Sequence, residues 1–92
     1  MSLEQVKYRT KDKIVATRLS EDEMVLLNLA TKQYFSLNET GILFWKLLES
    51  DNSLEAIAQA FTENYDIDMV EARERVLEFV ETLSSEKLIE KV

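Results

Sequence analysis

Residues 33 to 48 read Gln-Tyr-Phe-Ser-Leu-Asn-Glu-Thr-Gly-Ile-Leu-Phe-Trp-Lys-Leu-Leu, and their hydrophobic period changes in the middle. Before Asn38 the side chains alternate, so that Phe35 and Leu37 share one face of an extended chain and Tyr34 and Ser36 the other. After Asn38, the apolar residues Ile42, Leu43, Phe44, Trp45, Leu47 and Leu48 cover most of a helix's circumference, the pattern of a buried helix. Asn38 stands where an N-cap belongs, because its side-chain oxygen can take a free N–H of the first turn. Gly41, the only glycine, falls in that turn: either another backbone passes close there, or a small residue is merely tolerated. A strand running directly into a buried helix anchors the reading.

Working upstream, residues 24–29, Met-Val-Leu-Leu-Asn-Leu, form a continuous apolar run, and residues 14–19, Ile-Val-Ala-Thr-Arg-Leu, are rich in β-branched side chains. The polar segment Ser20 to Glu23 suits a hairpin loop, and Ala30 to Lys32 can link the second run to Gln33–Leu37. A three-stranded antiparallel meander over about residues 14–37 is expected. Downstream, Ser53 caps a second helix whose Leu54, Ile57, Ala58, Phe61 and Tyr65 follow helical spacing. Asp68 and Glu71 resemble a capping box ahead of a third helix with Ala72, Val76, Phe79 and Leu83 as its core stripe. Leu77 and Val80 lie off the centre of that stripe. The tail from Leu88 to Val92 reads as a short return strand or an ordered extension. The predicted fold is α+β and winged-helix-like, a three-stranded antiparallel sheet followed by three helices over about residues 39–85, in a single domain spanning 1–92.

Composition narrows the chemistry. The 92 residues carry 18 acidic and 11 basic side chains, a net charge of -7, and neither His nor Cys. Without Cys there is no disulfide, thiolate nucleophile or Cys-ligated zinc, and without His the commonest general base and transition-metal ligand are missing. One glycine cannot build a phosphate-cradling loop. Glu71, Glu74, Glu78 and Glu81 run down the third helix, but a carboxylate stripe with Arg73 and Arg75 nearby is the pattern of a solvated face. No catalytic constellation, cofactor site or metal site is expected, so the chain is read as non-enzymatic. No signal sequence and no apolar run of membrane-spanning length occur, which points to a cytoplasmic protein with no membrane partner.

A winged helix can also read DNA, but residues 47–92 hold twelve acidic and four basic side chains, a net -8 that phosphate repels. No nucleic-acid partner is expected. Peptide binding needs none of the missing residues. A meander has edges with unpaired N–H and C=O groups, where an extended peptide can add itself as a further strand. If the third strand is such an edge and the third helix lies beside it, Leu77 and Val80 would line the groove. Spacing equally allows them merely to widen the core stripe.

The stretch VLLNLATKQYFSLNETGILFWKLLES from Val25 to Ser50, the Ser-capped helix, Tyr65-Asp66 and the closing SSEKLI resemble the PqqD family, whose fold serves as the precursor-peptide recognition element of many ribosomal peptide pathways. The signature falls on Tyr34, Phe35, Leu37, Asn38, Thr40, Gly41 and Trp45. The resemblance implies a non-catalytic domain that binds the leader segment of a precursor peptide as a strand added to the third strand. It places the binding surface on Gln33, Tyr34, Phe35 and Ser36 and on Arg73, Val76, Leu77 and Val80. Within the family, the chain is most similar to the stand-alone leader-binding protein of lasso peptide maturation, which works with a separate leader peptidase and a macrolactam-forming cyclase. A lasso leader's Tyr and Pro, three residues apart, would suit an apolar groove with a basic rim. The alternative implied is a peptide chaperone of pyrroloquinoline quinone biosynthesis, partnered by a radical SAM enzyme.

Overall fold

The structure, a computed structural model, describes residues 3–92. Its elements are β1 Tyr8–Thr10, β2 Ile14–Ser20, β3 Glu23–Asn28, β4 Gln33–Leu37, α1 Glu39–Glu49, α2 Leu54–Asn64, α3 Met69–Ser85 and β5 Ile89–Lys91, after a single 3-10 turn at Leu3–Gln5. The expected meander is present: β2, β3 and β4 form an antiparallel sheet in that order, with Leu26 facing Ala16 on one side and Phe35 on the other. Alternation sets its faces. Met24, Leu26 and Asn28 of β3 and Leu37 of β4 are buried against the helices, with Phe35 half-buried beside them. Ala16 and Arg18 share that side of the sheet by register yet are exposed, so the helices cover β3 and β4 and leave β2 overhanging.

Each helix starts on the cap read from sequence. Asn38 Oδ1 accepts from Gly41 N at 3.0 Å, Ser53 Oγ from Ala56 N at 3.2 Å and Asp68 Oδ1 from Glu71 N at 2.9 Å. The capping box at Asp68 is one-sided, because the Glu71 carboxylate turns forward to Arg75 at 3.0 Å instead of back to the cap. Helix ends are less visible in the sequence. α3 closes with Lys87 N on Ser84 O and Leu88 N on Leu83 O, and Lys87 takes a φ of 60° that glycine usually supplies. Asp51, with φ 62°, does the same after α1. α1 is buried on one broad side through Ile42, Phe44, Trp45 and Leu48, whereas Leu43 and Leu47, expected in the core, are half-buried at its edge.

A second sheet, absent from the expected fold, closes the molecule. β1 pairs with β5 in the register Tyr8 to Lys91, Arg9 to Glu90 and Thr10 to Ile89, so the tail is a return strand. Its partner Tyr-Arg-Thr is too short to carry a periodic signal. Among the described residues no helix is long and apolar enough to cross a membrane.

Candidate functional site

β4 lies at the edge of its sheet, and its unpaired backbone groups can be identified. Leu29 N donates to Lys13 O across the β2–β3 ladder at 2.9 Å. Successive residues of an antiparallel strand point their N–H and C=O groups to opposite sides. Leu27 and Val25 therefore address β2, and Leu26, Met24 and Asn28 address β4 through their partners Phe35, Leu37 and Gln33. The N–H and C=O groups of Tyr34 and Ser36 are left pointing away from the sheet. Their side chains lie on the outer face, with Tyr34 71% exposed, while Phe35 turns toward the helices.

Beside this edge runs a trough of about 620 Å³ lined by Asp22, Glu23, Phe35, Ser36, Leu37, Asn38 and Phe79. A smaller hollow of about 140 Å³ continues it along α3 between Phe35, Glu78, Phe79 and Thr82. Phe79 holds the floor because it is wedged between rings: it stacks on Phe44 with centroids 5.2 Å apart and meets Phe61 edge-on at 6.3 Å. Gly41 allows the wedge, since a Cβ there would stand 2.9 Å from Leu37 Cδ2 and 3.3 Å from Phe79 Cε1. What passes close to Gly41 is thus a pair of side chains, not a backbone.

The structure brings together half of the residues expected at the site. Gln33, Tyr34, Phe35 and Ser36 form the free edge. Val76 is fully buried and Val80 is 8% exposed, so both belong to the widened core stripe. Arg73 reaches to α2 instead, its Nε and terminal nitrogen donating to the two Glu55 carboxylate oxygens at 3.0 and 2.7 Å. Leu77 is 46% exposed but follows Arg73 by four residues, on the same helix face, and is about 200° around α3 from Phe79. It lies on the flank away from β4. The helix residues at the groove are Glu78, Phe79 and Thr82, and of these the sequence singled out Phe79 only for the core and Glu78 only for a solvated stripe. The rim, expected to be basic, is acidic. Glu55 is held below its ordinary carboxyl value by the hydrogen bond from Arg73, with burial working against the shift and the charge attraction adding to it.

A free strand edge with an apolar trough alongside, on a small α+β domain, is a geometry that can accept an added strand. The chain belongs to the PqqD family: the family model, coenzyme PQQ synthesis protein D, matches residues 23–89. Among solved structures it is similar to TbiB1 in complex with the TbiA(beta) leader peptide, at 32% identity and a TM-score of 0.83 over 89% of this chain and 94% of that one. A lasso peptide synthetase B1 complexed with the leader peptide superimposes with a TM-score of 0.82 over 91% of this chain and 98% of that one; at 24% identity that likeness is one of fold. No curated protein matches the chain.

Proposed function

We propose that this protein binds the leader segment of a ribosomally made precursor peptide of the lasso type and presents it to a leader peptidase and a macrolactam-forming cyclase, without catalysing a step itself. The observation that carries the reading is the free edge of β4 beside the Phe35–Phe79 trough. A leader running antiparallel to β4 completes the ladder through the N–H and C=O groups of Tyr34 and Ser36. Its residue opposite Phe35 then sits in a non-hydrogen-bonded pair, where side chains approach most closely, and points into the trough. Backbone pairing supplies sequence-tolerant affinity, and the trough selects the side chain. The 32% identity with a protein held in complex with a leader peptide supports this reading. The second reading is a peptide chaperone of pyrroloquinoline quinone biosynthesis acting with a radical SAM enzyme, and the family model's description, coenzyme PQQ synthesis protein D, supports the pathway part of it.

Titrating synthetic leader peptides of both precursor types by calorimetry, with hydrogen exchange as the second readout, separates the two. A lasso leader is expected to bind and to protect the Tyr34 and Ser36 amides, leaving the already paired Phe35 unchanged. Phe35→Ala is expected to weaken it by roughly tenfold, about 1.4 kcal/mol of lost apolar contact, while Leu77→Glu changes affinity less than twofold. Protection on β2, or a loss at Leu77→Glu equal to that at Phe35→Ala, would show that the peptide lies elsewhere. Tighter binding of the quinone precursor would transfer the protein to the second pathway.

A further inference from the structure

The charges along the trough describe its occupant further. Every ionisable side chain lining the trough and its continuation is acidic: Asp22, Glu23 and Glu78. The carboxylates of Glu55, Glu71, Glu90 and Asp51 are each paired with an Arg or Lys, while those of the trough, like Glu49, Glu63, Glu74 and Glu81 elsewhere, have no basic partner among the described residues; their place along the trough is what sets them apart. Asp22 Oδ1 takes only the Ser20 hydroxyl at 2.8 Å, and no described residue donates to the carboxylates of Glu23 or Glu78. Arg18 lies on the β2–β3 turn itself, its guanidinium donating to the carbonyl oxygens of Ser20 and Glu21 at 2.6 and 2.8 Å, and it makes no ion pair with Asp22 or Glu23.

A strand laid over this trough displaces water from the rim. Neutral side chains there would leave the carboxylates poorly solvated, and acidic ones would add like-charge repulsion to a chain already at -7. Lys or Arg would meet them with charge-assisted hydrogen bonds. Position then gives direction. Asp22 and Glu23 flank Ser36, Leu37 and Asn38, the end of β4, which an antiparallel strand reaches with its N-terminal part. Glu78 borders the trough farther along, next to Phe35.

We infer that the peptide recognised at β4 is basic, with Lys or Arg N-terminal to the apolar residue that enters the Phe35–Phe79 trough, where Asp22 and Glu23 select it, and with Glu78 adding to the same charge preference beside the apolar residue itself. This rests on the strand-addition reading above. The test is selection from a displayed library of random peptides against the whole protein and against the triple variant Asp22→Asn, Glu23→Gln, Glu78→Gln, its fold verified by circular dichroism. Peptides selected by the unaltered protein should be enriched in Lys and Arg on the N-terminal side of an apolar core, and those selected by the variant should lack the enrichment. One selected peptide should bind the variant about tenfold more weakly at low salt, the sum of three partly exposed ion pairs, with the difference shrinking as salt is added. Binders that protect Tyr34 and Ser36 but show no basic enrichment would overturn the charge selection and leave strand addition intact. Enrichment on the C-terminal side, or unchanged on the variant, would also overturn it. Failure to select any peptide, or protection confined to another edge, would remove both readings.

Discussion

A methyl group added to Gly41 would meet Leu37 Cβ at 3.1 Å and Cδ2 at 2.9 Å, with the Phe79 ring at 3.3 Å on its other side. The Leu37 side-chain tip can rotate, but its Cβ is fixed by the last residue pair of the β3–β4 ladder, and Phe79 is held between two other rings. Helix propensity favours alanine over glycine by about 1 kcal/mol, and overpacking a filled site costs about 1–3 kcal/mol. Gly41→Ala is therefore expected to lose about 1 kcal/mol in urea denaturation and to weaken peptide binding by displacing Phe79. A gain in stability would mean that Leu37 yields freely. The sequence located this glycine in the first turn of α1 but not its reason, because the close approach is made by residues four before it and 38 after it.

At the scale of elements, α3 illustrates what periodicity can and cannot resolve. Ala72, Val76 and Leu83 of its stripe were readable, since burial recurs with the turn of the helix, while Val80, read as off-centre, is buried and Phe79, read as core, is half-buried at the groove. Which flank of the stripe faces β4 was not readable, because that depends on where α2 packs, and α2 takes the Arg73 side through Glu55. The ion pair also makes a pH prediction. Glu55's carboxyl is depressed in the folded state by the Arg73 hydrogen bond, so the stabilisation is fully present above the unfolded carboxyl value and is lost as pH falls through the folded one. Glu55→Gln is expected to be less stable than the parent at neutral pH and to converge on it in acid below both values. Urea titrations at the two pH values check this; a gap that persists in acid would assign Glu55's role to packing rather than charge.

For the molecule as a whole, the two chain ends are joined by the β1–β5 ladder and by Lys11 N to Leu88 O and Val92 N to Lys7 O, both 3.1 Å. The ladder also presses on the core. Leu88 and Ile89 are 2% and 3% exposed, and Val6 O receives the first helical N–H of α2 from Leu54 at 2.9 Å. Removing residues 88–92 would expose core surface equivalent to two large side chains, about 3–6 kcal/mol, against a total near 5–15 kcal/mol for a domain. The shortened chain is expected to lose cooperative unfolding or to unfold at much lower urea, as fluorescence of the buried Trp45 would report. An unchanged midpoint would make the ladder dispensable.

The order and types of the three meander strands and three helices, the three N-caps and the face shared by Phe35 and Leu37 of β4 were determined by the sequence alone. Each depends on neighbours within a few residues, through alternation, helical spacing or a side chain reaching its own first turn. The edge position of β4 was only a condition in that reading, and the fold met it by pairing the return strand β5 with β1 instead of with β4. Tertiary structure decided the rest. Residues 8–10 become a strand only because residues 89–91 arrive beside them, and Lys87 and Asp51 adopt left-handed turns because the chain must return at those points. The side chains of the groove were decided in the same way: Phe35, Phe79, Glu78 and the Asp22–Glu23 turn come from three separate segments. No local pattern records a meeting between segments, since the rotation of α3 about its own stripe is set only when α2 and the sheet have packed against it.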